Sequence, residues 1–280
     1  MTPDFRLPTS DFRPMFAIEF RNVSFGYEER LILDEVSFAV RQGELKCVLG
    51  GSGSGKSTIL KLALRLLEPS SGEILIGETD VSHLSDEELA DVRGKMGMIF
   101  QGGALFDSLT VRENVAYRLM EQHWDDDRIE TEVKQQLDFL DFDGDLDALP
   151  ADLSGGHRRT VAIARALAGG PDILLYDEPT TGLDPATAKA VCELAARLRD
   201  NRQVSAVFVT HRLDDINHLS SVLYQGKIAL SREEANFCLL NTTFMILRNG
   251  KVYFNGTADQ LRAQDDEYLR EFLGATDDEE

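Results

Sequence analysis

The sequence predicts an α/β fold with a mostly parallel core sheet, a small antiparallel β subdomain and an inserted α-helical subdomain. Three observations carry that prediction. A glycine-rich loop, Gly50-Gly51-Ser52-Gly53-Ser54-Gly55-Lys56-Ser57-Thr58, stands between a short apolar run and a stretch with leucines at helical spacing. Further along, β-rich runs alternate with helical patterns, as they do in parallel sheets. Between them, residues of about 102 to 170 change character and read almost entirely as helix.

The elements follow in order. Residues 1–15 form an N-terminal extension with early acidic and proline residues and no apolar core, which is not the pattern of a secretory signal. From Phe16 to Val40 two alternating segments, AIEFRNVSFGY and LILDEVSFAV, flank a polar Glu28-Glu29-Arg30 corner and read as strands. Glu44 to Leu49 is a short buried strand, and Ser57 to Glu68 a helix. Ser70-Ser71-Gly72 separates that helix from a strand at Glu73 to Ile76, which completes a small antiparallel layer. Within the helical region, Ile129, Val133, Leu137 and Leu140 line one face of a helix over Asp125 to Leu140. Ile173 to Tyr176 and Val204 to Val209 are buried strands joined by a helix from Pro185 to Leu198. Asn249-Gly250, set between two β-rich runs, marks a hairpin. A main domain over 16–260 and a C-terminal helix with an acidic tail over 261–280 are the expected organisation.

A chain of 280 residues buries a sizeable core without disulfides or metals. No stretch approaches the roughly 18 uninterrupted apolar residues of a membrane span, so any membrane role is expected to pass through a partner. Cys47, Cys192 and Cys238 are odd in number, widely separated and without metal-ligand spacing, as expected of reduced thiols in packing roles. The net charge of -20 argues against duplex nucleic acid, which calls for a basic face. Much of that charge lies in Glu121 to Asp152, with 12 acidic and 2 basic residues, and reads as a solvated helical surface.

The glycine loop fits the phosphate-binding pattern G-x-x-x-x-G-K-[ST] in every specified position. Glycines let successive N–H groups curl into an anion nest, and the following helix aims its positive end at the phosphates. Lys56 reaches the β- and γ-phosphates and Ser57 is placed to ligate Mg²⁺. Asp177-Glu178 closes an apolar strand, where an Asp holds the metal and a following Glu serves as general base. Carboxylates at such positions also simply cap helices. Leu153-Ser154-Gly155-Gly156-His157 opens an arginine-rich helix, a second N-terminus suited to phosphate.

Together these segments resemble the ATPase subunit of an ABC transporter, a P-loop NTPase, over about residues 16 to 260. LSGGH resembles the family's LSGGQ signature, Leu175 to Glu178 its Walker B segment, and Thr181-Gly182-Leu183-Asp184 its D-loop. Phe100-Gln101 resembles the Q-loop, Val209-Thr210-His211 the switch histidine, and Phe25-Gly26-Tyr27 the aromatic that stacks on adenine. The resemblance implies a head-to-tail homodimer. Each ATP would lie between Lys56, Ser57 and Tyr27 of one copy and Ser154, Gly155 and Gly156 of the other. Ser57 and Gln101 would contact Mg²⁺ directly and Asp177 through water; Glu178 would polarise the attacking water and His211 would sense the γ-phosphate. His157 departs from the usual Gln, but the backbone donors of Gly155 and Gly156 do not depend on it, so activity is expected to survive.

The stretch Met96 to Val111, with Gly103-Ala104-Leu105-Phe106 and then Asn114-Val115-Ala116-Tyr117, resembles ATPases of Mla-type, MCE-associated lipid transport systems. That implies a peripheral protein on the cytoplasmic face of the inner membrane, bound to an integral permease and an MCE-type lipid-binding subunit. Phe106, Leu109, Val111 and Tyr117 could floor the groove for the permease, or be ordinary helix core. Tyr268 to Leu273 resembles the same family's C-terminal segment, while about 225 to 243 looks long and has no functional account. Competing expectations are an importer ATPase for amino acids or another small solute, a soluble ABC-type ATPase acting on ribosomes or DNA, and a regulatory module without turnover. The last is disfavoured by the presence of Lys56, Glu178 and His211.

Overall fold

The computed structural model describes residues 16–28, 30–225 and 241–269. The expectations for residues 1–15, 226–240 and 270–280, for Glu29 and for Cys238 lie outside the described residues.

Two sheets form, as the patterning predicts. β1 (Phe16–Tyr27), β2 (Arg30–Arg41), β4 (Ser71–Ile76) and β5 (Thr79–Asp80) make an antiparallel sheet in the order β2-β1-β4-β5. The second has six strands: β3 (Leu45–Leu49), β6 (Met96–Ile99), β7 (Ile173–Asp177), β8 (Ser205–Val209), β9 (Thr242–Arg248) and β10 (Lys251–Gly256), ordered β10-β9-β3-β8-β7-β6. Its pairings are parallel except the edge hairpin β9–β10. Asn249 and Gly250 both carry positive φ, 51° and 76°, the backbone of a type I′ turn.

Successive side chains of a strand face opposite ways, and in the second sheet both faces are covered. Val48, Leu175, Val207 and Met245 join the core shared with the antiparallel sheet and α1 (Lys56–Ala63). Cys47, Leu174, Phe208 and Phe244 face the other way into a second core. That core is closed by α5 (Gly155–Leu167), α6 (Pro185–Arg202) and α7 (Leu213–Gln225). A third apolar cluster belongs to α3 (Val111–Glu121), α4 (Asp126–Phe139) and the middle and end of α5, through Val161, Ala164 and Ala168. Here Val133 and Leu137 are buried while Ile129 and Leu140 are partly so.

Two helix ends differ from expectation by four residues or more. α1 stops at Ala63, well short of Glu68, where Arg65 takes a left-handed φ of 52°. α6 runs four residues past Leu198 to Arg202 and ends at Gln203, also left-handed at φ 53°. α2 (Asp86–Arg93), starting from a Ser85/Glu88 capping box, and β6 complete the units leading to the helical region. α8 (Ala258–Arg262) follows the hairpin and crosses residue 260.

Candidate active site

The site is built where β3, β7 and β8 end side by side. Parallel pairing puts Val48 opposite Val209 and Val209 opposite Asp177, so three loops leave the sheet at one edge. The glycine loop leaves β3 and turns into α1. Gly50 (φ 154°) and Gly55 (φ 102°) are required: a Cβ on Gly50 would meet the Leu247 carbonyl oxygen at 2.6 Å, and one on Gly55 the Leu33 side chain at 2.5 Å. Gly51, Ser52 and Gly53 are exposed at the loop's crest, and Ser54 and Thr58 are half-buried.

Lys56 is buried, and its Nζ donates to the carbonyls of Gly50 at 2.8 Å and Gly51 at 3.0 Å. Burial draws its ammonium below the usual lysine range, against the opposing pull of Glu178 and Asp177. Ser57 Oγ donates to Asp177 Oδ1 at 2.7 Å across 120 residues of sequence. A hydroxyl and a carboxylate side by side are hard oxygen donors, the set Mg²⁺ takes when phosphates and waters supply the rest. Among the described residues no group of three or more His, Cys, Asp or Glu could hold a metal unaided.

Glu178 follows at a positive φ of 47°, a conformation a non-glycine residue rarely holds without cause. Its N–H donates to the Val209 carbonyl at 2.9 Å, which fixes the turn against β8. Its Oε1 lies 3.0 Å from Nδ1 of His211, and its Oε2 accepts from Thr181 Oγ1 at 3.2 Å. His211 is about half exposed, so the cluster opens to solvent.

Thus Lys56, Ser57, Asp177, Glu178 and His211 meet at one edge. A sequence pattern decides the kinship of that edge: the pattern of the family described as ABC transporter matches residues 33–181.

The chain belongs to the ABC transporter family, as an ATP-hydrolysing cassette.

A relative in Haemophilus influenzae, the intermembrane phospholipid transport system ATP-binding protein MlaF, is 33% identical over 93% of this chain and 91% of its own length. A methionine import ATP-binding protein MetN of Cutibacterium acnes is 40% identical over 71% of this chain and 55% of its own length. Among solved structures, a dimeric post-hydrolysis ATP-binding cassette bound to ADP and Pi superposes with a TM-score of 0.71 at 28% identity, covering 86% of this chain and 98% of that one. CbiO1 of Clostridium perfringens, at 23% identity and a TM-score of 0.75, covers 92% of this chain and 95% of its own and shares the fold.

Among the described residues, Tyr27, Gln101, Ser154 to His157 and Asp184 make no hydrogen bond to Lys56, Ser57, Asp177, Glu178 or His211, while Thr181 of the Thr181–Asp184 segment reaches Glu178. Tyr27 ends β1 and is 54% exposed, its ring edge-on to Phe25 at 4.9 Å. Gln101 is exposed in the turn after β6, with no hydrogen bond to Ser57 or Asp177 among the described residues. Ser154 caps α5, accepting from the His157 N–H at 3.1 Å, so Gly155 and Gly156 open the helix with exposed backbone. His157 Nε2 lies 3.0 Å from Asp143 Oδ1, and its ring meets Phe142 edge-on at 5.2 Å. Asp184 caps α6; the Thr187 hydroxyl and N–H hold its carboxyl below the usual range.

The sequence reading missed two sets of contacts. Arg159 Nη1 donates to the Phe100 carbonyl at 2.9 Å, and Arg165 to those of Ala104 and Gly103, which ties α5 to the Gln101 turn. The arginine-rich run after LSGGH was their visible signal. Asp215, fully buried in the first turn of α7, accepts from Thr180 and Thr210; beside Asp214, nothing in the sequence separated it from an ordinary helix-start acid.

Proposed function

We propose that this cassette powers lipid transport, with phospholipid as the substrate class, through a separate membrane permease, and works as a head-to-tail dimer. The observation that carries the lipid reading is length-matched similarity. The chain spans 91% of the phospholipid-system relative, but only between 54% and 63% of the methionine relatives. The Gly103–Phe106 and Asn114–Tyr117 stretches add to it. Phe106 and Tyr117 pack together at 4.5 Å and stay partly exposed, and Met120, three residues after Tyr117 on α3, is exposed as well. Such a patch on the helical subdomain, placed at about 102–170, suits a permease's cytoplasmic helix. The importer reading keeps one observation in its favour, the identity of up to 40% to methionine import relatives.

In the proposed mechanism, Lys56 and the glycine loop hold the β- and γ-phosphates of ATP, and Tyr27 stacks on its adenine. Ser57, Gln101 and, through water, Asp177 would hold Mg²⁺, which supplies charge neutralisation on the phosphates. Glu178 accepts a proton from the attacking water, and His211, 3.0 Å away, aligns with the γ-phosphate. Ser154, Gly155, Gly156 and His157 act on the partner copy's nucleotide, and Asp184 lies at the seam. Closure around two ATP molecules would drive the permease; hydrolysis would reopen the dimer. No described helix is long and apolar enough to cross a membrane, and the reading places the protein peripherally on the cytoplasmic face of the inner membrane, with an MCE-type lipid-binding subunit beyond the permease.

Purification from native membranes in mild detergent, followed by mass spectrometry of proteins and lipids, tests this. A permease, a single-span lipid-binding subunit and retained phospholipid are expected. A permease that binds methionine or a betaine and retains no lipid would favour the importer reading; recovery with ribosomes would sink both.

A further inference from the structure

Behind Glu178 and His211 lies a fully buried polar cluster that the mechanism above does not use. Asp215 Oδ2 accepts two hydroxyls, Thr180 Oγ1 at 2.6 Å and Thr210 Oγ1 at 2.6 Å. Thr180 belongs to the loop after β7 that carries Glu178; Thr210 precedes His211 in the loop after β8. The thiol of Cys192 in α6 approaches Oδ1 at 3.7 Å. Arg212 closes the circuit: its N–H donates to Thr210 Oγ1 at 3.0 Å and its Nη1 to the Thr180 carbonyl at 3.0 Å. Thr180, Thr210 and Asp215 are each 0% exposed, and among the described residues no lysine or arginine forms an ion pair with Asp215.

A buried carboxylate held by two hydroxyls and a thiol, with no cation paired to it among the described residues, is costly, and apolar side chains of that volume would pack at least as stably. What the carboxylate adds is geometry. Two hydroxyl protons aimed at one oxygen fix both threonine rotamers, and with them the spacing of the two loops. We propose that Asp215 is a positioning residue that clamps the Glu178 loop to the His211 loop, setting the approach of the two side chains and the path of the adjoining Thr181–Asp184 segment. This rests on Glu178 and His211 being the catalytic pair.

Steady-state ATP hydrolysis by the full chain tests it with Thr180→Val and Thr210→Val, which keep shape and remove one donor each. Each lowers kcat roughly tenfold, since small misplacements of reacting groups cost that much or more, while KM for ATP moves by less than about twofold. Thr180→Ser and Thr210→Ser keep the hydroxyl and restore turnover. The double valine variant is hardly slower than the worse single one, because either loss opens the same clamp. Wild-type kcat in the valine variants, serine variants as slow as valine, or KM moving as far as kcat would each overturn the clamp. Should a valine variant fail to fold by thermal melting, Asp215→Asn serves instead: its neutral oxygen accepts more weakly, so kcat falls at unchanged KM, and a wild-type kcat there also refutes the proposal. Glu178→Gln run alongside separates the two readings. If it turns over normally, the catalytic pair is wrong and the clamp falls with it; if it is inactive while the valine variants are fully active, the clamp alone is removed.

Discussion

Lys56 is held inside its own loop by two glycine carbonyls, at some electrostatic cost, since burial outweighs the attraction of Asp177 and Glu178. A positive charge kept there against its solvation preference is better explained by phosphate than by stability. Lys56→Ala is therefore expected to abolish ATP turnover while the thermal midpoint stays within about 3 °C of the wild type; normal turnover would remove the phosphate-loop assignment. Glu178 poses the complementary case. Its left-handed backbone is fixed by the bond to Val209, and glutamine accepts the same conformation at similar cost. Glu178→Gln thus tests charge rather than fold, and a general base predicts a fall in kcat of about a hundredfold or more. These residues were legible in the sequence because spacing specifies them: G-x-x-x-x-G-K-S needs no tertiary information. Asp215 and Thr180 were not, because a buried acid and an exposed one look alike until helix and sheet are packed.

At the scale of elements, the segment from Phe106 to Thr110 shows how a loop is made rigid. Asn114, 0% exposed in α3, accepts from the Phe106 N–H at 2.9 Å and donates to the carbonyls of Phe106, Leu109 and Thr110 between 2.9 and 3.1 Å. One buried amide thereby spans four backbone groups of the loop, its two N–H protons shared among three carbonyls, while Thr110 and Glu113 form the capping box of the same helix. Asn114→Ala strands several of those groups and should cost about 1–3 kcal/mol, read as a lower midpoint in chemical denaturation. It should also weaken permease association more than basal turnover, because the loop presents Phe106; an equal loss of both would argue against a docking role for this face. Elements with a strong local signal were legible: β3, α1, the β9–β10 hairpin and α4 each carry period, glycine or cap in sequence. Met96–Ile99 offered only four residues, one of them glycine, and became a strand through its pairing with β7. The ends of α1 and α6 were misjudged for a related reason, since a left-handed Arg65 or Gln203 is a tertiary outcome that helix propensity does not report.

At the scale of the whole molecule, the Lys56 cluster is open on one side, with exposed Gly51, Ser52 and Gly53 and a half-exposed His211. The other exposed glycines that could meet a phosphate, Gly155 and Gly156, head α5, and no hydrogen bond joins them to the glycine loop among the described residues. On the proposed head-to-tail reading, one copy offers two incomplete halves, and a two-fold dimer would complete both sites at once by the same pairing. This geometry makes a prediction that no single-chain active site would satisfy. Lys56→Ala spoils one half and Ser154→Arg the other, so each variant alone should be inactive. When they are mixed, the heterodimer contains one site assembled from the two undamaged halves and one damaged twice. By random pairing about a quarter of all sites are then intact, and hydrolysis should rise well above that of either variant alone, in proportion to the heterodimer formed. A mixture that stays as inactive as its components would mean that Ser154 does not complete the site of Lys56 in a second copy, and the head-to-tail arrangement would have to be given up.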